Sequence, residues 1–340
     1  MLSHMTNTQG PCGILLTNLG TPEAPTSASV RRYLGEFLWD PRVIEAPRWL
    51  WWLILHGVIL RIRPRRSAAL YRKVWQPAGS PLLLESQAQA RALKIALEGY
   101  FPAGLELAVA MRYGTPSIAA GISELVAAGV ERMLVLPMYP QYSASTVGST
   151  FDAVGEALRK VRAVPELRIV NGYHSHPLYV EALSRSIRAG LSDAPAETKL
   201  LFSFHGLPQR YVDNGDPYQT QCQATAQSVA DALQLPDDAW AVGYQSRVGR
   251  EEWLRPYTDD LLSDWGHSGV RSVAVVCPGF SADCLETLDE IEREANETFL
   301  EAGGETFRYI PALNAATPHI EMLRSLVLEK TTDWQDPPER

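Results

Sequence analysis

The chain has 340 residues, 46% of them hydrophobic and 21% charged, which excludes the disordered, collagenous and fibrous classes and leaves room for two domains with buried cores. Its 31 Lys and Arg against 39 Asp and Glu give a net charge of −8, which argues against a general affinity for nucleic acid. Cys12, Cys222, Cys277 and Cys284 show neither C-x-x-C spacing nor the density of a disulfide scaffold, so free thiols in a reducing cytosol are expected.

The polar start MLSHMTNTQGPC lacks the apolar core of a secretory signal, so a cytoplasmic protein is expected. Beyond it, short β-rich runs alternate with helix-length amphipathic segments, the pattern of parallel sheets flanked by helices. Strands are predicted at 14–17, 105–111, 132–136, 167–171, 200–204, 241–244 and 272–276. Helices are predicted at 27–37, 84–99, 117–128, 150–162, 177–189, 218–233, 252–265, 285–302 and 318–329. The apolar block WLWWLILHGVIL, 49–60, falls short of the roughly 20 residues of a membrane-spanning helix. It is followed by RIRPRR, with four arginines in 61–66. The block is either an interfacial segment meeting anionic lipid, which would place the protein peripherally on the inner face of the cytoplasmic membrane, or a buried helix with a solvated basic end.

The two halves echo one another. ILLTNLGTP, LAVAMRYGTPS and GVERMLVLPMYPQYSASTVGSTFDAV in the first match LLFSFHGLP, WAVGYQSRVG and GVRSVAVVCPGFSADCLETLDEI in the second. Two similar α/β domains are therefore expected, at 11–170 and 171–314, with a cleft between them. The helix within 315–330 is expected to pack back on the first, and 1–10 and 331–340 to be flexible. Ligands of open α/β sheets gather outside the carboxyl ends of the strands, here the loops 18–22, 112–115, 137–149, 205–208, 245–249 and 277–286.

Those loops carry the unusual chemistry. His205 follows the apolar strand LLFSF and precedes Gly-Leu-Pro, so its imidazole is held with limited freedom and suits metal binding or proton transfer, unless it is only a packing residue. In PGFSADCLETLDEIEREANE, spacings of three and four put Asp283, Glu286, Glu290, Glu294 and Glu297 along one side. Such a row is either a solvated face or, as a like-charge ladder without interleaved lysines opposite the His205 loop, a binder of a cation. Imidazole nitrogen with carboxylate oxygen suits ferrous iron among other first-row metals, and two protein ligands leave positions open for exchange. Arg112, Tyr113, Tyr139, Gln141, Tyr142, Ser143, Gln245, Ser246, Arg247 and Trp253 combine aromatic faces with donors and a few cations, a set suited to a flat apolar ligand bearing carboxylates. No GxxxxGK[ST], GxGxxG after a strand, or GxSxG occurs, which weakens nucleotide-hydrolase, dinucleotide and hydrolase-elbow readings.

At LLFSFHGLPQRYVDNGDPY the sequence resembles the ferrochelatases, enzymes that insert ferrous iron into a porphyrin. The resemblance continues through LLTNLGTPE, MRYGTPS, YPQYSASTVGS, YQSRVGREEWLRPYTD and GFSADCLETLDEI, in the family's order and over nearly the whole chain. It implies the chelatase-like fold, two Rossmann-like α/β domains with parallel four-stranded sheets around a porphyrin cleft. It also implies insertion of Fe²⁺ into protoporphyrin IX to form heme, with His205 and Glu286 as catalytic and metal-binding residues on facing walls. Asp283 and Glu290 match an acidic path for metal or protons. Leu19 sits where the family places a residue over the macrocycle, and Arg63, Tyr71 and Ser80 fall near porphyrin-contact positions, with Arg65 or Arg66 as alternatives to Arg63. Cluster-bearing members have cysteine where this chain has Ala144 and add a cysteine-rich tail; here the tail is TTDWQDPPER, so no iron-sulfur cluster and no tightly bound cofactor are expected. Cys284 occupies a position that is histidine in some relatives, where a partly exposed thiol would bind soft metals. The rivals are a coproporphyrin III ferrochelatase, which demands more cations around the cleft, and a non-catalytic tetrapyrrole or metal carrier. Neither an oligomeric state nor a metal preference follows from the sequence.

Overall fold

The computed structural model describes residues 10–249 and 251–335. Most of the termini expected to be flexible, 1–9 and 336–340, lie outside the described residues. The first half runs β1 (Cys12–Thr21), α1 (Ser27–Trp39), α2 (Arg48–Ile54), α3 (Leu60–Val74), α4 (Pro81–Ala96) and β2 (Leu105–Gly114). It continues with α5 (Ile118–Ala127), β3 (Arg132–Pro137), α6 (Ser149–Leu158) and β4 (Glu166–Ile169). The second half runs α7 (Pro177–Gly190), β5 (Lys199–His205), α8 (Gln209–Asp213), α9 (Tyr218–Leu233), β6 (Trp240–Gln245) and α10 (Thr258–His267). It closes with β7 (Ser272–Val276), α11 (Asn296–Glu301), β8 (Thr306–Ile310) and α12 (Thr317–Lys330).

Each half forms a four-stranded, fully parallel sheet, ordered β2-β1-β3-β4 and β6-β5-β7-β8. The central strands are buried along nearly their whole length, as the apolar runs of sheets covered on both faces require. Every strand of a sheet points the same way, so all the loops leaving the carboxyl ends gather at one edge. α12 packs on both α4 and α7, joining the two halves.

Four predicted features need correction. β8 was not among the predicted strands: its edge position leaves TFRYI half exposed, without the continuous apolar run of its neighbours. The helix predicted at 252–265 begins only at Thr258: Pro256 would remove a helical hydrogen bond and crowd the preceding turn, and 252–257 instead forms a loop bridged to Pro208 and Tyr244. Residues 331–335 are not loose: Trp334 is buried beneath the Arg168 guanidinium at 4.3 Å, while Asp333 takes two hydrogen bonds from Arg168 at 2.6 Å. Nor is the 49–60 block a buried helix. α2, a π-helical turn at Leu55–Ile59 and α3 anchor on α1 through Leu55, Leu60 and the Trp51 indole, which donates to the Leu38 carbonyl at 2.7 Å. Trp49, Trp52 and Ile62 stay 71, 51 and 69% exposed.

Candidate active site

His205 is the last residue of β5, paired in register with Gln245 at the end of β6. The chain must turn sharply beside it: a Cβ on Gly206 would lie 2.9 Å from the Gln245 carbonyl and 3.1 Å from the Trp253 ring, so only glycine fits there. The His205 Nδ1–H donates to the Gly206 carbonyl at 2.7 Å. A carbonyl only accepts, which leaves Nε2 as the basic nitrogen. Burial lowers the imidazole's affinity for a proton, partly offset by that carbonyl and by the charge of Glu286. The ring is therefore neutral near pH 7, in the form that accepts a proton or a metal ion.

Glu286 opens a π-helical segment, Glu286–Ala295, after the turn that leaves β7; such segments concentrate at functional sites. The turn is fixed through Asp283, whose carboxylate accepts from Thr287 at 3.0 Å, Asn314 at 2.7 Å, Tyr309 at 2.5 Å and the Ala312 N–H at 3.3 Å. With its lone pairs so occupied, Asp283 is built to hold the turn. Gln245 ties β6 to the helix: its amide donates to the Glu286 carbonyl at 2.9 Å and to the Glu290 carboxylate at 3.4 Å, while its oxygen accepts from Ser203 at 2.8 Å. Ser246, in the left-handed region at φ 66°, donates to the same Glu290 carboxylate. Burial and the neighbouring Glu286 push the Glu290 carboxyl up to about 7, against the hydrogen bonds from Ser246 and Gln245.

Within the π-helical segment the charges of Glu286 and Glu294 both act on Glu290, and Arg293 is interleaved in the row, binding Asp289 at 2.6 Å, Glu294 at 2.6 Å and Glu297 at 3.2 Å. His205 and Glu286 both come from the second half, His205 at the end of β5 and Glu286 beyond the turn that leaves the paired strand β7. The first half instead supplies phenols. Tyr33, Tyr71 and Tyr139 are all pushed well up by burial, and the charge of Glu286 adds to this for Tyr33 and Tyr71. Leu19 and Leu285 join the cluster around Tyr33 and Tyr71, and the Tyr139 hydroxyl is buried without a partner.

Several candidate ligand contacts are occupied elsewhere. Arg112 binds the buried carboxylate of Asp40 and donates to Ser149 Oγ at 2.6 Å, while Tyr113, 1% exposed, donates to Asp40 at 2.8 Å. Burial alone would raise Asp40, but hydrogen bonds from Ser149, the Arg42 N–H and Tyr113, with the Arg112 charge, hold it below the usual carboxylate range. Ser143 donates to Asp216 at 2.9 Å, and the Tyr142 N–H donates to Gln221 at 2.7 Å. Ser80 caps α4. Trp253 lies against Gly206. Arg63 is exposed on α3 beside Arg61, Arg65 and Arg66. Cys284 is not partly exposed but 4% exposed, and burial together with Glu286 raises its thiol well above the usual value, which makes it a poor ligand for soft metals. All four cysteines are buried and unpaired.

The sequence reading missed Tyr33 and Asp40. An acid at the C-terminal end of a helix opposes the helix dipole, and that misplacement of Asp40 after FLW was the available signal. For Tyr33 the signal was its i, i+4 pairing with Phe37, whose ring stacks on it at 6.1 Å. Among the described residues, no three His, Cys, Asp or Glu side chains are grouped to hold a metal. Cavities of 660 and 430 Å³ are lined by residues of α7, α12 and the β8 exit, and neither includes His205 or Glu286.

The family profile described as Ferrochelatase matches residues 11–331. The chain is 50% identical over 325 residues to the ferrochelatase of Marinobacter nauticus, covering 96% of this chain and 88% of that one. It is 51% identical over 324 residues to that of Nitrosococcus oceani, covering 95% and 88%, and 50% identical over 330 residues to ferrochelatase 1 of Shewanella oneidensis, covering 97% and 99%. Among solved structures it resembles SirB from Bacillus subtilis with Fe³⁺, at a TM-score of 0.57 and 12% identity over 95% of this chain and 97% of that one. At that identity the likeness is one of fold.

Proposed function

The chain belongs to the ferrochelatase family and inserts Fe²⁺ into a porphyrin in heme synthesis, and on that footing we propose that its porphyrin is protoporphyrin IX and its product protoheme. The observation that carries the choice is the Asp40–Arg112 pair. A porphyrin with additional carboxylates needs unspent cations around the ring, and the guanidinium at the end of β2 is neutralised by a buried acid. Arg42 is likewise paired, with Asp152. Among the described residues the arginines of α3 have no ion pair and are left to meet the carboxylates of the porphyrin.

Insertion releases two pyrrole protons as the metal enters. His205 Nε2, neutral and held by its Nδ1 hydrogen bond, takes a proton from the macrocycle; Glu286 meets the incoming metal ion and passes protons to Glu290, whose carboxyl exchanges them near neutral pH. The phenols of Tyr33 and Tyr71 stay un-ionised and add no competing charge. The exposed Trp49, Trp52, Leu53, Ile54, Val58 and Ile62, followed by the arginines of α3, form an apolar patch with a basic rim that rests on an anionic bilayer and admits apolar porphyrin. No helix among the described residues is long and apolar enough to cross a membrane.

Anaerobic absorbance assays with Fe²⁺ and each porphyrin test the substrate. Protoporphyrin IX is expected to be metallated with the higher kcat/KM. A preference for coproporphyrin III overturns the choice of substrate, and a bound porphyrin that stays metal-free points to a carrier.

A further inference from the structure

The turn that presents Glu286 is gripped from outside its own domain. Asn314, at φ 46° in the left-handed region that asparagine tolerates, exchanges two hydrogen bonds with Asp283: its amide donates to the carboxylate at 2.7 Å, and its oxygen accepts the Asp283 N–H at 2.8 Å. The Asn314 N–H donates to the Ser281 carbonyl at 3.1 Å. Gln89, fully buried on α4 of the first half, spans both sides of this clamp, donating to the Ser281 carbonyl at 2.7 Å and the Asn314 carbonyl at 3.2 Å. From α12, the buried His319 donates to the same Asn314 carbonyl through Nδ1–H at 2.7 Å. Two turns earlier on α4, Leu82 packs on Ala282 and Cys284.

We propose that Gln89 and Asn314 are positioning residues for metal insertion: they lock the Ser281–Cys284 turn to the first half and so fix where Glu286 stands relative to a porphyrin held there. The placement needs a device of this kind, because the phenol face and the acidic helix belong to different sheets, and a displacement of about 1 Å in a reacting group costs on the order of 100-fold in rate. Buried amides are costly to keep, and Gln89 is kept although its own carbonyl oxygen finds no partner. A hydrocarbon side chain would fill the same space at lower cost. The inference rests on Glu286 acting in the reaction.

Gln89→Leu is the decisive variant. Both carbonyls it leaves retain another donor, the Asn314 N–H for Ser281 and His319 for Asn314, so the protein is expected to melt at or above the wild-type temperature. Metal-free protoporphyrin IX, followed by fluorescence, is expected to bind within twofold of wild type, while kcat for Fe²⁺ insertion falls roughly threefold. Asn314→Gly keeps the left-handed backbone and deletes the clamp, with an expected kcat loss of about tenfold. An unchanged kcat in Gln89→Leu overturns the proposal, as does a parallel loss of porphyrin affinity and melting temperature. If Asn314→Gly does not fold, Gln89→Leu alone decides. Glu286→Gln is measured alongside: if it is inactive while both other variants match wild type, the positioning role fails and the role of Glu286 stands. If Glu286→Gln is active, the catalytic assignment itself fails.

Discussion

The two halves share one topology and divide the work. In each, the third strand of the half is followed by a π-helical segment, Ala144–Gly148 after β3 and Glu286–Ala295 after β7. The first is the neutral ASTVG; the second is ETLDEIEREA. At the ends of the first strands, β1 closes on Leu19, Gly20 and Thr21, and β5 on His205. Charge follows the same division: residues 1–170 hold 18 Lys and Arg against 12 Asp and Glu, whereas 171–340 hold 13 against 27. A duplicated frame thus brings a basic half suited to a carboxylated ring against an acidic half suited to a metal ion and its displaced protons.

The sharpest way to break that comparison is to remove the chemistry from the second half alone. His205→Ala and Glu286→Gln are each expected to lower kcat by about 10²–10⁴-fold, the range for a positioned base, while porphyrin binding is retained if it belongs to the first half. The measurement is anaerobic Fe²⁺ insertion beside fluorescence titration of the metal-free porphyrin. Loss of binding in step with turnover would show that the halves do not divide the work. For wild type, insertion should fall on acidification as the His205 imidazole gains a proton, at a pH below the ordinary histidine range because burial disfavours the charged form.

In the first half the corresponding test is Asp40→Asn. It leaves the Arg112 guanidinium, 20% exposed at the side chain, without its counter-charge, at an expected cost of about 3 kcal/mol in urea unfolding. The unpaired cation should also raise coproporphyrin turnover relative to protoporphyrin. If the ratio does not move, Arg112 has no bearing on the choice of substrate.

Glu290 gives a smaller effect that depends on pH. Its carboxyl titrates at about 7 when folded and near 4.3 in an unfolded chain. As pH rises between those values the unfolded state loses the proton first, so wild type loses stability that a non-titrating Glu290→Gln keeps. The variant should match wild type at pH 4.5 and exceed it by about 2 kcal/mol at pH 8, after allowance for solvent screening. Equal stability at both values would show that Glu290 titrates as an ordinary carboxyl, ionised near neutral pH and unable to relay protons there.

The architecture was legible in the sequence because buried parallel strands write themselves as apolar runs, and the repeated order of the two halves fixed their number. His205 was legible for a related reason, as a polar residue closing the run LLFSF. What escaped were features set by tertiary partners. Nothing local to Arg112 or Tyr113 announces that Asp40 takes both, since the three meet only when the end of α1 packs against β2. Asp283 and Glu290 read alike as members of an acidic row, yet one is saturated by Tyr309, Thr287 and Asn314 and the other borders Glu286. That difference arises from strand β8, which brings Tyr309 to Asp283 and which the pattern did not disclose.

The smallest effect on folding belongs to the lip of the first half. Trp49 and Trp52 touch little of the protein at 71 and 51% exposure, so replacing both with serine should leave stability within about 0.5 kcal/mol. If the patch serves the bilayer, the same change should lower affinity for vesicles containing anionic lipid by about tenfold, since each indole removed from the interface forfeits its buried area. Raising the salt concentration should weaken what remains, because the arginines of α3 act through screened charge. A double variant that binds vesicles like wild type would assign this patch to something other than lipid, while turnover in detergent-free buffer, governed by the second half, should be the same for both proteins.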